Sequence, residues 1–178
     1  MGAMLLTVSW IFFHAGASST LATQKNVFGP AHTALATILS SSCAGCLIFV
    51  GRPIVNFFGK EEGSAFDPVM IVNCQVAGLV AISASCNRIE HYSSCIIGVI
   101  ASILFMISRV ILQKLQIDDP LNVISINLVC SVWGLIAAGI FSNGSGLISS
   151  GNPDLITTQI YAIFAIFTWA STTSFFFF

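Results

Sequence analysis

Residues equipped for chemistry are few along these 178 positions, and their spacing excludes more than it offers. No GxGxxG, phosphate loop, HExxH or GxSxG pattern occurs, so no dinucleotide cradle, zinc helix or nucleophile elbow is present in the sequence. The acids Glu61, Glu62, Asp67, Glu90, Asp118, Asp119 and Asp154 fall between apolar runs or at helix starts, where solvation and capping account for them. No two of them can be brought together at depth for acid–base work, and the chain does not read as an enzyme. Among six cysteines only Cys43-Ala44-Gly45-Cys46 has a ligand-like spacing, and no second pair of thiols or imidazoles completes a four-ligand site. The cysteines read as small packing residues, Cys74, Cys86, Cys95 and Cys130 show no disulfide framework, and neither a metal nor a cofactor is expected. What remains is a short set of polar side chains inside apolar surroundings: His14, His32, Asn73, Gln75 and Asn127. Such groups either bond to one another between helices or line a route for a polar substrate, and taken singly each reads as glue.

The elements that hold these residues follow from composition. Hydrophobic residues make up 56% of the chain and charged residues 7%, against about a quarter charged in soluble domains. Such a chain cannot cover itself for water. Lys and Arg number 6 and Asp and Glu 7, so no charge surplus points to nucleic acid. The charges fall between runs long enough to cross a bilayer, which takes about 20 helical residues. These runs lie near 3–23, 28–51, 67–87, 92–113, 120–141 and 155–177. They lack the alternation that barrel strands require. The expected fold is all-α, a polytopic transmembrane helical bundle of about six spans forming one domain over 1–178.

The first run lacks a basic start and carries Trp10, Phe12 and His14 where a cleavage region would lie, so it reads as a span and not a signal peptide. Lys25 and Arg88 fall on one side, and Arg52, Lys60, Arg109 and Lys114 on the other, which places the 52–66 and 109–119 connections inside. The 142–154 loop then lies outside, where Asn143-Gly144-Ser145 forms a glycosylation acceptor. Both chain ends read as cut. Small residues at helical spacing, Ser41/Gly45, Gly98/Ser102 and Gly134/Ala138, predict close helix packing.

Asp118 or Asp119 can cap a helix that begins at Pro120. From that start Val123, Asn127, Cys130 and Gly134 share one face, and Asn127 lies roughly 10 Å along the helix at 1.5 Å per residue. At that depth its amide requires an inward partner or a cavity.

Three stretches carry a family resemblance: WIFFHAGAS at 10–18, NCQVAGLVAISA at 73–84 and KLQIDDPLNVISINLVCSVWG at 114–134. In order and spacing they resemble the ammonium transporter family, and the DDPL turn resembles its Amt/Mep branch more than its Rh branch. The resemblance spans nearly the whole chain and implies the sixth to eleventh helices of eleven. That is one inverted repeat of the ammonium transporter fold plus part of the last helix, or one wall of a path between two repeats.

By the same resemblance, Trp10 and Phe13 match positions of the outer vestibule and of one ring of the phenylalanine gate. Val123 matches a pore-lining position. A serine that helps hold ammonium falls at Ala17, with Ser18 beside it, and Asn127 stands where the family has the second of two pore histidines. Leu128 replaces a glycine and Asn122 an aspartate. Imidazole both accepts and donates protons near neutral pH, whereas an amide only hydrogen-bonds. His14, one residue on from Phe13, is turned about 100° from that face. The resemblance implies ammonium and ammonia as substrate, a lipid bilayer, the plasma membrane as location, and either a homotrimer or assembly with full-length transporters. A non-conducting, regulatory or degenerate relative is the alternative.

Overall fold

The computed structural model describes residues 2–18, 29–58 and 67–177. Lys25, Lys60 and the side chain of Arg52, on which much of the orientation count rests, lie outside the described residues, as do Glu61 and Glu62. The elements are α1 (Gly2–Ala17), α2 (Pro30–Phe58), α3 (Pro68–Ile82), α4 (His91–Lys114), a π-helical segment Ile124–Val129 running into α5 (Cys130–Phe141), a single turn α6 (Leu147–Ser150), and α7 (Asp154–Phe177). Among the described residues, four segments are long and apolar enough to cross a membrane: 30–50, 91–114, 124–141 and 154–177. Two shorter apolar helices, 4–17 and 68–82, complete the set of six expected from the sequence.

Local chemistry starts the helices. Asp67 caps α3 by accepting from Val69 N at 3.0 Å, with Pro68 in the first turn where its missing donor costs nothing. The segment after Asp118 departs from expectation. Asp119 does cap, accepting from Val123 N at 2.8 Å and Ile124 N at 2.9 Å, yet the helix does not begin at Pro120. Asp119 to Asn122 form a turn closed by Asn122 N donating to Asp119 O at 3.1 Å, and Pro120 takes its second position, which its fixed φ favours. Asn122 has φ +54°, a left-handed conformation that asparagine tolerates better than most residues. Helical geometry therefore starts three residues late.

Helices α2, α3 and α4 pack as the centre of the bundle, with α1 against α2, α5 against α3, and α7 against α5. Lipid is as apolar as leucine, so close packing and interhelical hydrogen bonds hold such helices together. Gly98 permits the tightest approach: a Cβ there would lie 2.1 Å from Ser40 O. Gly134 meets α3 likewise, its Cβ position 2.4 Å from Ala81 O. The small residues Gly98 and Gly134 thus do what their spacing predicted. Ser40 Oγ donates to Gly78 O at 2.9 Å and Ser41 Oγ to Gln75 O at 3.3 Å, tying α2 to α3. Cys74, Cys86 and Cys130 are buried in the core. By contrast α7 has no buried residue and packs only along one edge.

The connection after α3 and the loop after α5 meet at one end of the bundle. Asn143 N donates to Arg88 O at 2.7 Å and Asn143 Nδ2 to Glu90 Oε1 at 2.9 Å. Glycan transfer to that nitrogen would have to break the second bond.

Candidate functional site

At this same end, α1 delivers Trp10, Phe13, His14 and Ser18. One helical step separates Phe13, 68% exposed, from His14, 3% exposed, as the 100° rotation between them requires. His14 is the hub. Its Nδ1 lies 2.8 Å from Thr37 Oγ1 on α2, and its Nε2 lies 3.0 Å from Trp10 Nε1 and 3.1 Å from Ser83 Oγ just past α3. The indole N–H also approaches Ser83 Oγ at 3.3 Å. His14 is thus the interhelical glue expected of a polar side chain in apolar surroundings. Thr37 and Ser83 carry no sequence signal of their own, since a hydroxyl in an apolar helix can bond back to its own backbone. Both do make those bonds, Thr37 to Thr33 O at 2.8 Å and Ser83 to Leu79 O at 2.9 Å, but each oxygen also turns a lone pair to the α1 network.

A cavity of about 420 Å³ opens beside this network. Phe13, Ala17 and Ser18 of α1 line it, with Ser83, Arg88 and Gln159 among the residues facing them. Ser18 is buried and its hydroxyl donates to Ala15 O at 2.6 Å, so its oxygen is left to accept. Ala17, the alternative position, is exposed and brings no polar atom. Trp10 joins the group through His14 and Ser83 and does not itself line the cavity.

Val123 and Asn127 are placed elsewhere. Neither lines this cavity. The expected common face of Val123, Asn127, Cys130 and Gly134 is not formed: Val123 is 50% exposed and Asn127 exposed, whereas Cys130 and Gly134 are buried. The reason is the π-helical segment Ile124–Val129 between them. Its i→i+5 bonding turns less per residue than an α-helix, so positions that align at 3.6 residues per turn diverge across it. The late helix start also brings Asn127 to roughly 6 Å from Val123 at 1.5 Å per residue. The inward partner expected for Asn127 is replaced by a place on the outside of the described bundle. Ser131 Oγ donates to Asn127 O, an intrahelical bond.

Two of the other polar residues, His32 and Gln75, make interhelical contacts. His32 of α2 stacks on His91 of α4 with ring centroids 4.3 Å apart, and Gln75 packs against Gly45.

The sequence profile of the Ammonium Transporter Family matches residues 1–178. The chain belongs to this family. Ammonium transporter 3 of Dictyostelium discoideum is 32% identical over 88% of this chain and 34% of its own length. Ammonium transporter 1 member 3 of Solanum lycopersicum is 26% identical over 97% of this chain and 41% of its own length. The solved structure of a Sensor Amt Protein superposes with a TM-score of 0.80 at 26% identity, covering 99% of this chain and 41% of that protein. The chain thus spans about two fifths of the length of such relatives, the size of the second half that the sequence motifs pointed to. The helical architecture is that of a multi-pass membrane protein, and the exposed faces of α1, α4 and α7 carry many of the large apolar side chains left unburied.

Proposed function

We propose that this chain supplies one wall of a transmembrane route for ammonium and ammonia, as a single transmembrane domain over 1–178, with the facing wall contributed from outside these residues. The observation that carries this reading is the family match along the entire chain. Substrate-path roles go to Trp10, Phe13, Ser18, Val123 and Asn127. With its N–H committed to His14, Trp10 offers its ring face, which attracts a cation by roughly 0.5–2 kcal/mol depending on desolvation. Ser18 offers an oxygen whose proton is already spent on Ala15, the arrangement an ammonium donor needs. Phe13, Val123 and Asn127 are exposed on the described bundle, as side chains facing a second wall would be. Asn127 can hydrogen-bond ammonia and cannot relay a proton.

The assembly is a homotrimer or a complex with full-length transporters, in the plasma membrane. Uptake of labelled methylammonium by proteoliposomes holding this chain alone, or this chain with a full-length transporter, tests the proposal. Saturable uptake by the chain alone above that of empty liposomes supports it, and background uptake by the inserted chain alone, with uptake by the pair no higher than that of the full-length transporter alone, sinks it. A second reading, a non-conducting regulatory relative, is favoured by Asn127 in place of a titrating residue and by the missing hydroxyl at Ala17. It predicts co-purification with the full-length transporter, altered uptake by the pair, and none by the chain alone.

A further inference from the structure

The hydrogen bonds around His14 are mutually restrictive. An indole nitrogen only donates, so the His14 Nε2 that it reaches at 3.0 Å must carry no proton. A neutral imidazole then bears its proton on Nδ1, which points at Thr37 Oγ1, 2.8 Å away. Thr37 can accept it because its own hydroxyl hydrogen goes to Thr33 O at 2.8 Å. Each assignment follows from a different contact, and the Ser83 hydroxyl, 3.1 Å from the bare Nε2 and 2.9 Å from Leu79 O, has its hydrogen to give to either acceptor. The reverse tautomer would set two N–H groups head to head at Trp10.

We propose that His14 is the positioning residue for Trp10: α2, through Thr33 and Thr37, fixes the tautomer of His14, and the bare Nε2 in turn fixes the indole of Trp10 beside Ser83. The importance of Trp10 rests on the function proposed above, but its positioning does not. The device links the orientation of a ring on α1 to the placement of α2, with no contact between Trp10 and Thr37 needed.

The test is indole ¹⁵N–¹H correlation spectroscopy of the full chain in lipid nanodiscs, with the Trp10 signal identified by its loss in Trp10→Phe. In His14→Gln the side-chain amide reaches the place of Nε2, and the Trp10 signal is expected to stay near its original position. In His14→Asn the amide is too short to reach it, and the signal is expected to move upfield as the bond is lost. Thr37→Val removes the tautomer lock without touching either ring, and is expected to move the Trp10 signal while those of Trp133 and Trp169 stay fixed. Imidazole ¹⁵N shifts of the unaltered chain, which need no variant to fold, should show a proton on Nδ1 of His14 and none on Nε2. A proton on Nε2, or a Trp10 signal indifferent to both His14→Asn and Thr37→Val, overturns the proposal. If the positioning holds while Trp10→Phe leaves uptake unchanged in a conducting assembly, the substrate-path reading of Trp10 fails and this one stands.

Discussion

Gly98→Ala is the substitution whose cost the structure specifies most directly. An added Cβ would stand 2.1 Å from Ser40 O, 2.8 Å from Ser40 C and 3.0 Å from Ser40 Cα. All three are backbone atoms, so no rotamer change relieves the overlap, and α2 must retreat from α4 by about 1 Å to restore ordinary contact. Retreat is resisted, because Ser40 Oγ is bonded to Gly78 O at 2.9 Å and α2 also packs on α3. Overpacking of this kind costs about 1–3 kcal/mol, or a factor of about 5–150 in the folding equilibrium. Alanine also gains up to about 1 kcal/mol of helix propensity over glycine. Gly16→Ala is the control, since nothing lies within 4 Å of a Cβ built there. The difference between the two variants isolates the strain. Reversible unfolding in mixed detergent and dodecyl sulfate micelles, followed by far-ultraviolet circular dichroism, should show Gly98→Ala less stable than Gly16→Ala by at least about 1 kcal/mol. Equal stability of the two would refute the close α2–α4 approach, and with it the placement of Thr37 that follows from α2.

Asp119→Ala should cost about 0.5–2 kcal/mol through loss of the caps on Val123 and Ile124, read as faster amide exchange at those residues and not at Cys130 or beyond. A cysteine at Asn127 should react with a membrane-permeant maleimide while Cys130 is spared, as site-resolved mass spectrometry would report; protection of position 127 would contradict the exposure assigned to the π-helical register. If Asn127 faces a conducting route, Asn127→His should make methylammonium uptake by a conducting assembly more strongly pH-dependent, whereas an unaltered profile would remove position 127 from the path. Asn143→Ala should loosen the 142–153 loop by about 1 kcal/mol through loss of the side-chain bond to Glu90, with the backbone bond to Arg88 O kept, seen as faster protease nicking within the loop.

Much of this molecule was legible as text. Hydropathy located six apolar helices because a bilayer imposes one length and one composition on whatever crosses it. Gly98 and Gly134 announced tight packing through their spacing, and the motifs around Trp10, Asn73 and Asp118 led to the family that the profile match then established. These signals are local, or depend on residues a turn or two apart.

The site was less legible, for a physical reason. Pro120 looks like a first helical residue, and the turn closed by Asp119 and Asn122 takes it instead; both uses suit proline's fixed φ, and neighbouring sequence alone does not choose between them. The face carrying Val123 and Asn127 was projected at 3.6 residues per turn, and a π-helical segment shifts the register between Asn127 and Cys130. No residue type marks such a segment. His14 stood out as polar in apolar surroundings, but its partners Thr37 and Ser83 lie 23 and 69 positions away. Sequence alone determined that helices would form, cross a membrane and pack closely, because those follow from solvent and side-chain size. Only the packed bundle decided which proton sits on which nitrogen of His14, since that depends on donors and acceptors brought together from three separate helical regions.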